Sequence, residues 1–391
     1  MLLATLLAAS TVQPVAASDH HDAVELIKEF MKQGEANNAA MNKKKKKKKK
    51  KRSPESIAGA LEPNLQLRPL SNGQFFACMS FSSLFAFSTG IWEYSTQAEV
   101  FPLNNFLCGC LLVVASLFLI EEPHAAASRG AATKLSKRKK MLSVLGGLLC
   151  GLCISNQHTS SIYVLVCIAA VARAHNMALL RREIPTLICT AISVLIGVSP
   201  YLYLVHRSVK QSIDGWGDQR TVAGFLTHFL RKEYGTFVLA SEWESGEQQD
   251  GSKFVRRLCL NLLQFSKDTM HIGVPLFVYF VTLSVKNKKV ACNVVALSFF
   301  IYTLTLNFLA NLTFSKLHLN ILARMWQQGS VASFALSGAG FARVVGLAEE
   351  HGKIKKAHRG ILHTVILSLG VAPILMNMYV CRHGPLRLLL R

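Results

Sequence analysis

The chain has 391 residues, 51% of them hydrophobic and 17% charged, with a mean hydropathy of +0.30. Those values exceed the soluble average and point to a polytopic membrane protein. The formal charge of +22 includes ten from the run Lys43–Arg52, which leaves +12 for the rest. That remainder falls mostly in short loops, where Lys and Arg set membrane orientation. No basic stretch is interleaved with the aromatic platforms that single-strand binding needs, so nucleic acid is excluded as a partner.

Residues 1–18 have a short apolar core and small residues near Val15–Ser18, as a signal peptide has, but lack its basic start. The polar stretch and lysine tract that follow are expected to be solvated and held open by self-repulsion. His20, His21, Asp22 and Glu25 resemble a metal cluster on paper, yet in so polar a setting the solvated reading is preferred. Residues 1–72 are therefore set aside as an atypical, disordered tail, ahead of a membrane domain over 73–380 and a short tail over 381–391.

From Gln74 onward, apolar segments of near-spanning length recur. About nine candidate spans can be drawn, at 74–92, 104–120, 141–156, 160–173, 185–205, 268–285, 290–308, 329–347 and 360–380, giving an all-α, polytopic transmembrane bundle. Those at 141–156 and 160–173 are short, so tilt or partial insertion is expected. The loops Lys134–Lys140, Arg173–Arg182, Lys286–Lys289 and Lys353–Arg359 are strongly basic, whereas 93–103 and 157–159 carry no Lys or Arg. By the positive-inside rule the basic loops are cytoplasmic. Four segments then share the opposite, lumenal side: Trp92–Asn104, Asn156–Thr159, His206–Lys267 and Ala310–Gln328.

Most cysteines lie inside apolar runs, where a thiol acts as a small hydrophobe. Cys150 and Cys153 fit a CxxC pattern but fall mid-span, so a redox or metal role is not assigned. Among the lumenal segments, the first holds Glu93 and Glu99 with no cation. An acid at an interface can serve as a general base or metal ligand, or simply be solvated beside the anchors Trp92 and Tyr94. Glu93 is read as solvated, and Glu99 is left open between the two.

Asn156, Gln157, His158 and Thr159 form a polar hairpin end. Amides and an imidazole at membrane depth need partners, and sugar hydroxyls are good ones. In the third segment, Trp216 stands beside Asp218 and Gln219, an arrangement suited to stacking and hydrogen-bonding a sugar. Val222, Phe225, Leu226 and Phe229 then have helical spacing, which predicts an amphipathic helix on the membrane surface. Arg231, Lys232, Glu233 and Tyr234 close it. Arg231 or Lys232 could hold a phosphate, or act as a snorkelling cation. The same pair of readings applies to Arg324 in the fourth segment, which either snorkels to headgroups or clamps a lipid-linked phosphate. Asn311-Leu312-Thr313 is a glycosylation sequon, close to the membrane.

The runs WEYSTQAEVFPLNN, GLCISNQHT, WGDQRTVAGFLTHFLRKEYGTF and ARMWQQ, in this order over roughly 74–380, closely resemble the animal transmembrane protein O-mannosyltransferase family, transmembrane protein 260. The resemblance implies a GT-C-like multi-span glycosyltransferase of the endoplasmic reticulum membrane. It would move mannose from a dolichol-phosphate donor to Ser or Thr hydroxyls of IPT-type domains in plexin-like receptors. Its partners would be that lipid-linked sugar donor, the IPT-domain acceptors and membrane lipids.

By matching motif, Glu99 and Asp218 become the catalytic candidates. Asn156, Gln157, His158, Trp216, Gln219, Arg231, Tyr234 and Arg324 become substrate-binding ones, and no residue is assigned to a metal or other cofactor. The family's lumenal Gly-Asp-Ser-Gly-Glu-Leu motif, whose aspartate is the expected base, has no counterpart here. The family's C-terminal helical-repeat region is also unmatched. The chain is accordingly expected to be partial, or inactive as it stands. Two other functions stay open: a non-catalytic binder of lipid-linked sugar, and a transporter, which would need more ionisable residues within the spans.

Overall fold

A computed structural model of the chain describes residues 1–11, 69–95, 100–120, 135–174, 183–210, 219–230, 232, 251–310, 312–350, 360, 363–368, 370–372 and 375. Among these residues all regular structure is helical. The helices are α1 (Leu2–Thr11), α2 (Asn72–Phe87), α3 (Thr89–Ser95), α4 (Val100–Ile120), α5 (Lys137–Asn156) and α6 (Ser161–Ala174). They continue with α7 (Ile184–Val198), α8 (Pro200–Val209), α9 (Val222–Phe229), α10 (Gly251–Asp268), α11 (Gly273–Lys286), α12 (Val290–Leu309) and α13 (Lys316–Glu350).

Against the nine expected spans, the described residues hold three helices long and apolar enough to cross a membrane, α4, α12 and α13, while the expected span at 360–380 lies partly outside them. The number rises to five if α7 with α8, bent by 42°, and α10 with α11, bent by 104°, each count as one broken span. Length is the reason for the difference. A straight span needs about 20 residues, but α2 stops after 16 where Ser88 turns extended, and α6 has 14. α5 reaches 20 residues, with Lys137, Arg138, Lys139 and Lys140 taking up its first turn.

α13 is the axis of the bundle, and α1, α2, α4, α11 and α12 pack around it. Small residues let them approach: a Cβ added at Gly340 would come within 2.5 Å of the Leu276 carbonyl oxygen, and one at Gly338 within 3.0 Å of the Phe81 Cβ. α5 and α7 are closer still. A Cβ at Gly151 would overlap the Val194 carbonyl oxygen and lie 2.8 Å from the Gly197 Cα. Backbone-to-backbone contact of this kind admits only glycine.

Two regions differ from the sequence expectation. Leu2–Thr11, set outside the fold in that reading, forms a helix in the core, with Leu7 fully buried and its carbonyl facing the Cys292 thiol. The remainder of the tail, 12–68, lies outside the described residues. The segment 206–267, in which a helix was expected at 222–229 alone, also contains the long amphipathic α10. α10 reverses sharply into α11 through Met270 and His271, both at positive φ.

The helix ends sort into two groups. Val100 of α4, Asn156 of α5, Ser161 of α6, the end of α12 and the start of α13 share one end of the bundle, here the polar end. The starts of α5 and α7 share the other, basic end.

Candidate functional site

The polar end is assembled from a turn, a surface helix and the middle of α13. Gln157 takes an extended conformation, φ −154° and ψ 128°, and stops α5. The chain then tightens into a 3-10 turn, His158–Ser160. Ser160 fixes that turn by donating its hydroxyl to the Cys153 and Gln157 carbonyls, at 2.7 and 2.5 Å. The turn thus presents Asn156, Gln157, His158 and Thr159 together.

Thr159 donates its hydroxyl to Gln328 Oε1 of α13 at 2.9 Å. Gln328 is 1% exposed; its Nε2 donates to the Cys108 sulfur at 3.3 Å and its carbonyl accepts from Tyr163 at 2.9 Å. One turn along α13, Arg324 lays its guanidinium 5.0 Å from the centroid of the Tyr94 ring. Gln327 donates to the Gly90 carbonyl at 3.0 Å, which ties α13 to α3. Asn156 donates to the Val100 carbonyl at 3.2 Å, which ties the turn to the start of α4.

The predicted amphipathic helix is α9. Thr221 caps it by accepting from the Gly224 N–H at 3.0 Å. Phe225 and Phe229 stack on each other and meet Tyr201 of α8 edge-on, while Val222 and Leu226 stay exposed. His158 packs edge-on against Phe229 and lies 2.7 Å, through Nε2, from the Phe229 carbonyl oxygen. A carbonyl only accepts, so Nε2 carries the proton and any acceptor role of the ring falls to Nδ1. Gln219, buried, donates its N–H to the Ser208 hydroxyl at 3.0 Å and so joins this helix to α8.

Five of the ten sequence candidates are thus placed: Asn156, Gln157, His158, Gln219 and Arg324. All five belong to elements that meet at the polar end. Glu99, Trp216, Asp218, Arg231 and Tyr234 lie outside the described residues. Glu93 is exposed, as expected, but Tyr94, read as a surface anchor, is buried beneath Arg324. Cys150 and Cys153 are buried free thiols. Among the described residues, no three His, Cys, Asp or Glu side chains are grouped as a metal site.

Sequence reasoning missed part of the constellation. Asn104 stands one turn before Cys108 on the same face of α4. It is fully buried, and neither of its amide atoms has a hydrogen-bond partner among the described residues. The same holds for Gln157 Oε1 and Gln327 Oε1. Buried amides left open in this way are rare and call for a partner, whether ordered water or a polar ligand. The signal was present, since Asn104, Asn105, Gln327 and Gln328 interrupt otherwise apolar helices. Arg257, buried to 2% on α10, was missed as well; it donates to the Leu312 carbonyl at 2.8 Å and fixes the connection into α13.

The geometry defines a class: a helical membrane protein with an amide-rich polar cluster around Arg324 at one end of its bundle. Residues 23–180 match the family described as "Protein O-mannosyl-transferase TMEM260 N-terminal domain". The chain is 30% identical to mouse "Protein O-mannosyl-transferase TMEM260" over 270 residues, which are 68% of this chain and 36% of the mouse protein. It is also 30% identical to the Dictyostelium discoideum protein of the same name over 163 residues, 40% of this chain and 19% of that protein. The chain belongs to the TMEM260 family, and it spans about a third or less of the length of these two relatives. No solved structure matches it.

Proposed function

We propose that this chain carries the sugar- and phosphate-contacting wall of a protein O-mannosyltransferase, working at the lumenal face of the endoplasmic reticulum membrane in a GT-C-like architecture. The observation that carries the reading is the convergence of the 156–159 turn, Arg324–Gln328 and α9 at one end of the bundle, with buried amide atoms of Asn104, Gln157 and Gln327 left open. The family name carried by the mouse and Dictyostelium relatives supports the transferase class.

The donor is dolichol-phosphate mannose and the acceptor a Ser or Thr hydroxyl of an IPT-type receptor domain. The hydroxyl oxygen attacks the anomeric carbon, the bond from that carbon to the phosphate oxygen breaks, and dolichyl phosphate leaves. The hydroxyl proton passes to a carboxylate, for which Glu99 and Asp218 are the candidates in this chain. Arg324 offers the leaving phosphate a planar, charge-assisted donor. Amide groups and His158 Nδ1 hold sugar hydroxyls, which both donate and accept.

The test is mannose transfer in microsomes carrying this chain, with dolichol-phosphate mannose and an IPT-domain acceptor. Incorporation that falls with Arg324→Ala supports the reading. No incorporation beside an active full-length relative, together with donor retained by the wild type and lost in Arg324→Ala, supports the non-catalytic sugar-lipid binder instead. Neither transfer nor donor retention would overturn both.

A further inference from the structure

A second site stands at the opposite end of the molecule. Between α4, α5, α6 and α7 lies a cavity of about 230 Å³, walled by Leu111, Val114, Phe118, Leu142, Ile168 and Leu187 among others. Its few polar wall groups are already engaged. Ser143 donates to the Lys139 carbonyl, Thr190 to the Thr186 carbonyl and Thr186 to Glu183 Oε2. Glu183 also accepts from the Leu135 N–H at 3.1 Å and pairs with Lys140 at 2.8 Å. A wall whose polar groups are turned to one another offers a ligand only hydrocarbon contact.

The rim has the opposite character. Lys137, Arg138, Lys139 and Lys140 occupy the first turn of α5, with no acid there. Cations at a helix N-terminus oppose its dipole, whereas an anion there gains both the dipole and the side chains. Two of the four touch the cavity wall directly: Lys139 lies 5.2 Å over the Phe118 ring, and Lys140 holds Glu183. Exposed Ile188, Ile192 and Leu195 on α7 extend the apolar surface beyond the cavity.

We propose that this cavity holds part of one acyl chain of an anionic phospholipid, with the phosphate on the basic first turn of α5 and the second chain along the outer face of α7. A cavity of this size takes part of a single chain and no headgroup. The charge complementarity of the rim selects an anionic lipid over a zwitterionic one. The site is distinct from the polar end and does not depend on the transferase reading.

The test uses the full chain in nanodiscs of phosphatidylcholine with a minority of phosphatidylserine, followed by native mass spectrometry of retained lipid. The wild type should retain phosphatidylserine preferentially. Lys137→Ala with Arg138→Ala should weaken that preference roughly 25-fold, at the usual contribution per cation near an anionic surface. Gly146 lines the cavity, and a Cβ there meets only Val114 at an ordinary 3.6 Å. Gly146→Leu should therefore fill the space and cut retention of either lipid by tenfold or more.

Should Gly146→Leu misfold, Ala172→Trp at the mouth serves as a second block. Competition by millimolar inorganic phosphate, with Gly146→Leu still binding it, would assign the rim to free phosphate and overturn the lipid. Equal retention of both lipids by the wild type, or full retention in a folded cavity-filling variant, would also overturn the proposal and leave the cations as orientation signals alone.

Discussion

The two ends of the bundle are built from opposite chemistry. At the basic end, several charges and helix starts find answers inside the protein. Glu183 meets Lys140, Ser71 and Gln74 form a reciprocal capping box at the start of α2, and Ser136 caps α5. Ser71 also donates to Glu349 at 2.5 Å, tying α2 to the end of α13. At the polar end the groups are neutral amides, an imidazole and phenols around Arg324, and several buried amide atoms lack a partner. The first end holds the bundle together, although Ser284 Oγ and Asn293 Oδ1 there are also buried with no partner among the described residues. The second differs in leaving several amides open, those of Asn104, Gln157 and Gln327, groups capable of both donating and accepting.

The sharpest way to break the comparison is to disturb what both ends share. Gly151 and Gly197 bring α5, which runs from one end to the other, into backbone contact with α7 in the polar half of the bundle. Gly151→Val should destabilise the bundle by about 3 kcal/mol or more, because the obstructing atoms are backbone and cannot move aside. Loss of a monodisperse peak after detergent extraction and a large drop in melting temperature would register it. A variant that melts like the wild type would mean that α5 and α7 are not locked there.

Substitutions at the polar end should instead separate function from folding. Arg324→Ala removes the guanidinium over Tyr94 and should lower mannose transfer or donor retention by roughly 100-fold, since a lost charge-stabilising donor typically costs that much. The melting temperature should hardly move. Arg324→Lys should recover only part, because an ammonium does not reproduce the planar fork. His158→Phe keeps the edge contact with Phe229 but deletes the bond to its carbonyl. About 1 kcal/mol of stability and roughly tenfold in activity are expected, read by thermal melting and by the same transfer assay.

The basic end should show its nature through pH. Lys140 beside Glu183, helped by the Leu135 N–H and the Thr186 hydroxyl and opposed by desolvation, holds the Glu183 carboxyl below its ordinary value of 4.5. A depressed carboxyl contributes stability that is fully present above that ordinary value. The contribution is lost as pH falls below it, through the lower folded-state value. Melting temperature measured from neutral pH down to acid should fall across that window in the wild type and flatten in Glu183→Gln. Because Lys140 is 38% exposed, the difference at neutral pH should be modest. An identical acid response in both proteins would remove Glu183 from the account.

How much of this was legible in the sequence follows from what each feature depends on. Loop charges grouped the 156–159 turn, α9 and Arg324 on one side, because membrane orientation is written locally in Lys and Arg. Apolar spacing at 222–229 gave α9 for the same reason. Span number was overcounted, since hydropathy does not register that Ser88 turns extended after α2, although the short segment at 160–173 was drawn close to the bounds of α6. The core role of Leu2–Thr11 was invisible because its composition suits a leader as well as a packed helix, and only tertiary contact with Cys292 and Gly338 distinguishes them. Asn104 and Gln327 were passed over as polar residues in apolar helices. Their meaning lies in the partner each lacks, which no one-dimensional pattern contains.

The smallest expected effect tests whether the polar end is held in shape by its own bonds. Thr159 and Gln328 join the 3-10 turn to α13 through one hydrogen bond, and Gln328 also engages Cys108. Thr159→Val keeps the volume and removes the hydroxyl, leaving Gln328 Oε1 buried without its donor, at a cost of about 1 kcal/mol. Replacing both residues, Thr159→Val with Gln328→Leu, removes the stranded acceptor too, and so should restore much of that stability. Activity should not recover with it, because the turn that presents Asn156, Gln157 and His158 would then lose its side-chain hydrogen bond to α13. A double variant that regains both stability and transfer would show that the turn needs only packing. One that regains stability alone would show that the hydrogen bond is kept for the geometry it imposes on the site.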